Sequence, residues 1–293
     1  MQEAVHRMLE RYEIRSVDEG IRALREIVQE CALLGLWRAK FFEHAAFYGG
    51  TALRILHGME RFSEDLDFTL LKTRPEFSLA PYLDALEKEL LAMGFDVTLD
   101  LQSKAVASPV ESAFLKANTR SHLLRIGIPA GTASHIPSNQ TIRIKFEVDR
   151  DPPPGFETES RYLLLPVPFA VRVCTLPDLF AGKMHALLFR RWNNRVKGRD
   201  WYDFVWFVSH HPVLNLAHLE QRMRQRGDWV TPPQLTPEAF LTLLHQTIDR
   251  LDVSQARQEV RPFLKDPQSI EIWSQEFFHA IAGRIRFHQT GSG

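Results

Sequence analysis

The strongest constraint in this chain is a pair of glycines followed, about fifteen residues on, by two aspartates one residue apart. The run is Gly49-Gly50-Thr51-Ala52-Leu53-Arg54, then Arg61-Phe62-Ser63-Glu64-Asp65-Leu66-Asp67-Phe68. Residues 51–57 read as a short helix closed by Gly58. The glycines therefore stand where backbone N–H groups lack helical partners and where missing side chains allow close approach. Phosphate oxygens suit such a cradle, and Thr51 can add a hydroxyl donor. Residues 65–71 begin with the polar–apolar alternation of a half-buried strand. A period of two puts Asp65 and Asp67 on one face, roughly 6–7 Å apart. Two carboxylates on one face repel unless a cation lies between them, and Mg²⁺ binds through one or two carboxylates plus substrate phosphates. A phosphate cradle beside such a clamp meets the needs of transfer from a nucleoside triphosphate. Taken singly, Gly-Gly is often only a tight turn and Asp-x-Asp only a solvated strand face. Their order and spacing, with Arg61 and Ser63 alongside, favour the nucleotide reading.

Around this run the chain changes character. Residues 1–47 read as helical, with Ile21, Leu24, Ile27, Val28 and Cys31 at helical spacing behind Asp18 and Glu19, and Gly35 as the expected end. Residues 79–93 form an amphipathic helix that Gly94 stops. Residues 95–101, 121–128 and 141–149 are strand candidates, whereas 103–120 give a poor signal. Asp151-Pro152-Pro153-Pro154-Gly155 is a firm break. From about Val171 the pattern is almost wholly helical, with predicted helices at 200–210, 214–226, 237–251, 254–260 and 269–287. Thr175 and Asp178 have capping-box spacing ahead of Leu179, Phe180 and Met184, a helix that precedes these. Leu165-Pro166-Val167-Pro168 reads as a linker or an edge strand, which places a boundary near 165–172.

The two segments at Gly49 and Arg61 resemble the first motif of the AbiEii family, nucleotidyltransferase-like toxins of type IV toxin–antitoxin systems within the polymerase-β-type superfamily. Ile144-Lys145-Phe146-Glu147-Val148-Asp149-Arg150 resembles the second motif, a strand bearing an acidic residue. Leu176-Pro177-Asp178-Leu179-Phe180-Ala181-Gly182-Lys183 resembles the segment with the family's functional lysine, and Lys197-Gly198-Arg199-Asp200-Trp201-Tyr202-Asp203 the basic motif that follows it. The resemblance implies an α+β fold: a nucleotidyltransferase domain with a small mixed β-sheet at residues 1–170 and an α-helical domain at 171–290, bilobed, with the site in the cleft between them. It implies Asp65, Asp67 and Glu147 as metal ligands for Mg²⁺ or Mn²⁺. Lys183, Asp200 and Asp203 complete the catalytic set, and Gly49, Gly50, Thr51, Arg61, Ser63 and Lys183 contact the nucleotide. Glu147 and Asp149 share a strand face, so either can supply the third carboxylate; Glu147 fits the pattern better, with Asp149 free to pair with Arg150 or Arg143. Asp200 and Asp203 share a helix side, and Asp203 is the weaker candidate for direct chemistry.

Lysine plus arginine and aspartate plus glutamate both number 36, so nucleic-acid binding has to come from a local patch. Such a patch exists between 171 and 210, where seven basic residues face three acidic ones. Arg190, Arg191, Arg195, Lys197 and Arg199 crowd one stretch; a solvated helix end and a phosphate or RNA surface account for it equally. Two cysteines exclude a disulfide framework, no apolar run approaches a membrane span, and residues 1–11 lack a signal-peptide core. A cytoplasmic protein without membrane contact is expected. No Gly-x-Ser-x-Gly, Walker or Gly-x-Gly-x-x-Gly motif and no zinc-ligand spacing is present. The resemblance implies transfer from a nucleoside triphosphate to an acceptor hydroxyl, with a tRNA 3′ end as the favoured acceptor, translation blocked, and a cognate antitoxin encoded nearby. Nucleotidylation of a protein or of the chain itself, and nucleotide binding without catalysis, are the competing readings.

Overall fold

A seven-stranded mixed sheet organises the first half of the chain. The computed structural model describes residues 3–102, 108–125, 134, 136–190, 196–230 and 233–288. The chain divides into two units: residues 1–58, 63–152 and 160–173 form one, and 59–62, 153–159 and 174–293 the other. In the first unit the elements run α1 (Glu3–Leu9), α2 (Val17–Arg38), β1 (Ala45–Tyr48), α3 (Gly49–His57), β2 (Leu66–Leu70), α4 (Ala80–Ala92), β3 (Val97–Leu101), β4 (Val110–Asn118), α5 (Thr119–Arg125), β5 (Thr141–Asp149), β6 (Thr158–Leu163) and β7 (Phe169–Cys174). Strand order is β3-β4-β5-β2-β1-β7-β6. β2 lies between β1, to which it is antiparallel, and β5, to which it is parallel. It is thus a central strand, and Leu66, Phe68, Thr69 and Leu70 are all buried.

Aromatic rings pin this centre. Phe68 stacks on Phe47 at 5.2 Å and meets Phe41 edge-on at 5.0 Å. All three rings are fully buried. α2 begins at Ser16, whose hydroxyl accepts the Glu19 N–H at 3.2 Å, and carries an acidic first turn that complements the helix dipole. Gly35 does not end it. The helix runs three residues further, and a Cβ at Gly35 would stand 3.3 Å from the Leu86 Cα, so this glycine lets α4 pack backbone-close.

Several expectations need correction. Residues 121–128 were expected as a strand, but Thr119–Arg125 is helical; residues 126–128 lie outside the described part. Asn118 decides the matter by accepting the Ser121 N–H on its side chain at 2.9 Å, a cap that outweighs the apolar alternation. β4 gave a poor signal because its buried residues include the small Ser112, Ala113 and Ala117, yet it pairs with all nine residues of β5. β7, read as the border of a linker, alternates Phe169, Val171 and Val173 inward.

The second unit holds α6 (Leu176–Phe189), α7 (Gly198–His210), β8 (Val213–Leu214), α8 (Leu216–Arg226), α9 (Pro237–Asp249), α10 (Val253–Val260), α11 (Gln275–Ala282) and β9 (Arg286–Phe287). Phe180 of α6 stacks on Phe207 of α7 at 4.5 Å. Gly198 opens α7 directly against α10, where a Cβ would overlap the Ala256 carbonyl. The helix expected over 269–287 is broken into a 3₁₀ turn at Pro267–Ile270, α11 and β9, because Ser274 caps a new start by accepting the Phe277 N–H at 3.0 Å. Thr175 is not the expected capping side chain: its hydroxyl donates to Asp178 Oδ2 at 2.6 Å. Among the described residues no helix is long and apolar enough to cross a membrane.

Phe68→Ala is expected to lower the unfolding free energy by about 3–5 kcal/mol, read as a fall in the urea midpoint. An unchanged midpoint would contradict the central place given to this ring.

Candidate active site

In the first unit the site is built where β1 turns into α3. Tyr48 is extended, and Gly49 then adopts φ +83°, which turns the chain sharply into the helix. A Cβ at Gly49 would overlap the carboxylate of Asp67. Gly49 therefore makes room for Asp67, whose charge rests at the N-terminal end of α3, where the helix dipole favours an anion. Gly50 and Thr51 are buried beside it. The Thr51 hydroxyl donates to the Asp65 carbonyl and so ties the entry of β2 to α3. It is not aimed outward at a phosphate, as the sequence suggested.

The register of the sheet orders the acidic residues. Asp67 lies opposite Glu147 on β5 and opposite Tyr48 on β1. Cross-strand partners share a face, so these carboxylates stand on strands about 4.8 Å apart. Asp149 pairs instead with Thr69, is buried, and accepts the Asp151 N–H at 3.1 Å. It brackets the turn out of β5. Arg150 donates to the Ser108 and Pro75 carbonyls, and Arg143 lies 4.7 Å over the Phe114 ring. Glu147 is held by Lys145 Nζ at 2.7 Å and by the Ser112 hydroxyl at 3.4 Å. Asp65 is exposed and precedes β2. Ser63 lies upstream, its carbonyl accepting from Gln29 Nε2 at 3.3 Å.

Among the described residues no group of three histidine, cysteine or acidic side chains comes together to hold a metal ion. Lys145 engages Glu147, and Asp65 sits outside the ladder. What the face does offer is a carboxylate pair in register, which fits the one or two protein ligands that Mg²⁺ takes when phosphate oxygens complete its shell.

In the second unit the centre is Asp203 on α7, fully buried. Arg61 grips it bidentately, Nε to Oδ1 at 2.5 Å and Nη2 to Oδ2 at 2.7 Å, and Lys183 Nζ reaches Oδ2 at 2.7 Å. Burial alone would push the Asp203 carboxyl up, but Arg61 and Lys183 outweigh it and hold the group below the usual carboxylate range. Arg61 is itself buried, and Nη1 donates to the Phe62 carbonyl at 3.1 Å. The sequence placed Arg61 on the nucleotide; the structure turns it inward as the clamp on Asp203. Asp203 in turn is the orienting partner of Lys183; the Arg61–Asp203 link joins residues far apart in sequence, and no local spacing announces it.

Asp200, one turn earlier, is buried with Arg190 Nη1 at 3.8 Å from Oδ2. Lys197 precedes α7, and burial, followed by the nearby Arg190 charge, lowers its ammonium pKa. Arg199 is taken up within its own unit: its N–H reaches Glu259 at 3.0 Å and its guanidinium lies 4.2 Å over the Phe263 ring. Arg191 and Arg195 lie outside the described residues.

Comparison with known proteins fixes the class. The chain is a nucleotidyltransferase. It belongs to the AbiEii family, whose model, described as a nucleotidyl transferase AbiEii toxin of a type IV toxin–antitoxin system, matches residues 31–281. Among solved structures the chain is similar to JHP933 from Helicobacter pylori, with 16% identity, TM-score 0.49, and coverage of 88% of this chain and 89% of that one. It is also similar to a Helicobacter pylori protein with a provisional nucleotidyltransferase name, at 18% identity and TM-score 0.48, covering 88% and 90%. A search of the curated proteins finds no match.

Removing the Asp203 carboxylate leaves Arg61 buried without its counter-charge. Asp203→Ala is expected to destabilise the protein by about 3–5 kcal/mol, measured by urea unfolding. Because the Asp203 pKa is depressed on folding, its contribution is complete above the unfolded value near 4 and is lost as pH falls through the lower folded value. Stability profiles of wild type and Asp203→Asn are expected to converge below about pH 4. Parallel profiles over that range would contradict the assignment.

Proposed function

We propose that the protein transfers a nucleotidyl group from a nucleoside triphosphate to a hydroxyl at an RNA 3′ end, with tRNA as the acceptor and arrest of translation as the result. The single observation that supports this most is the register of β2 and β5, which sets Asp67 beside Glu147 at the glycine-started end of α3. In the reaction the acceptor oxygen bonds to the α-phosphorus as the bond from the α-phosphorus to the oxygen it shares with the β-phosphorus breaks. Pyrophosphate leaves, and the hydroxyl proton passes to a carboxylate, for which Glu147 is our choice.

Asp67 and Glu147, with Asp65 upstream, are the proposed ligands of Mg²⁺ or Mn²⁺, which when bound would neutralise developing charge on the phosphates. The first backbone N–H groups of α3 offer donors to phosphate oxygens beside Asp67. Lys183, oriented by Asp203, is proposed to contact the triphosphate, and Asp200 to order that lysine's surroundings. Family membership supports a cognate antitoxin as partner, and the protein is proposed to act in the cytoplasm.

The test is a screen with each α-labelled nucleoside triphosphate against total tRNA, cell protein and the enzyme alone. Label on tRNA 3′ ends supports the proposal, whereas label only on protein, or binding without product, would replace it. Asp67→Asn keeps the side-chain shape against Gly49 and is expected to stay folded while losing about 10²–10³ in rate, the cost of one charge-stabilising group in such a site. Full activity in that variant, or in wild type stripped of divalent ions by EDTA, would overturn the metal assignment.

A further inference from the structure

The second unit contains a cavity of about 270 Å³ that shares only Asp200 with the residues proposed for the transfer chemistry. It opens between the end of α6, the start of α7 and the end of α9. Three cations line it: Arg190 just after α6, Lys197 just before α7 and Arg250 just after α9. Among the described residues Asp200 is the one acidic residue in the lining, so the described lining side chains carry an excess of two positive charges. Leu187, Leu251 and Trp201 supply apolar wall, and Thr247 a hydroxyl.

Arg190 and Arg250 each follow the last turn of a helix, where a cation is favoured by the dipole. Lys197 has the opposite placement. It caps the start of α7, where a positive charge is disfavoured, and its ammonium is half-buried close to Arg190. A dianion in the cavity would remove the conflict, and a phosphate monoester carries about −1.5 to −2 at neutral pH. Its oxygens would accept from two guanidinium forks, the geometry in which arginine binds phosphate best. The leucine and tryptophan walls would cover the organic group that bears the phosphate.

We propose that this cavity binds a terminal phosphate monoester, borne either by a free nucleoside monophosphate or by the 5′ end of a nucleic-acid strand. The site is built wholly from second-unit residues, and the proposal does not depend on the transfer chemistry assigned to Asp67 and Glu147.

The test uses the full-length protein without triphosphate. Equilibrium dialysis compares labelled adenosine monophosphate with adenosine, and fluorescence anisotropy compares a short oligoribonucleotide bearing a 5′ phosphate with the same strand ending in a 5′ hydroxyl. A preference of tenfold or more for the phosphorylated form is expected in at least one pair; the pair that shows it identifies the source. Arg250→Glu, at an exposed position, is expected to abolish that preference, and Arg250→Lys to retain most of it. Should Arg250→Glu lose its native circular dichroism, Lys197→Gln serves in its place. No preference in either pair, or a preference that survives Arg250→Glu and Lys197→Gln alike, would overturn the proposal.

Discussion

Two like charges directly opposite one another on neighbouring strands destabilise a sheet, and the placement of Asp67 against Glu147 is such a pair. Everything around them serves to hold the pair in place. Gly49 lets the Asp67 carboxylate settle at the start of α3, and Lys145 comes within 2.7 Å of Glu147. The strands cannot slide to relieve the repulsion: β5 is fixed by its nine-residue ladder with β4, and β2 by Phe68 in its aromatic cluster. A one-residue slip would turn every one of these side chains to the other face. The packed core thus holds two carboxylates in register, with Lys145 on Glu147 and the start of α3 beside Asp67.

The second unit uses a different solution to a related problem. Asp203 is buried with two cations rather than one, so its charge is over-matched and the pair of Arg61 and Lys183 is fixed in direction. The net value of such a buried cluster to stability is small compared with the cost of breaking it. What it secures is the orientation of Lys183. Gly198 contributes by letting α7 lie against the backbone of α10, which sets the helix on which Asp200 and Asp203 ride.

Local signals made much of this legible in the sequence. The Gly49-Gly50 helix start, the β2 strand, α4, β5 and the helical second half all carry clear periodicity or punctuation. The signals that failed were those where tertiary context decides. The chemistry of Thr51 looked like a phosphate donor until the structure spent it on Asp65. Gly35 looked like a helix end because a close helix–helix approach leaves no mark on its own chain neighbours. β4 was faint because small residues pack against β5 without a strong hydrophobic pattern, and Asn118 redirected the chain after it into a helix. Arg61 and Asp203 lie too far apart in sequence for any motif to join them. A period of two leaves Glu147 and Asp149 on one face; the register with β2 sets Glu147 opposite Asp67 and Asp149 opposite Thr69.

The most direct measurement is anomalous diffraction from crystals grown with Mn²⁺ and a non-hydrolysable nucleoside triphosphate. The expected result is a manganese peak within coordination distance of Asp67 and Glu147, beside the first turn of α3, with Lys145 drawn away from Glu147. Triphosphate bound with no metal at that carboxylate pair, or with the metal held elsewhere, would contradict the account.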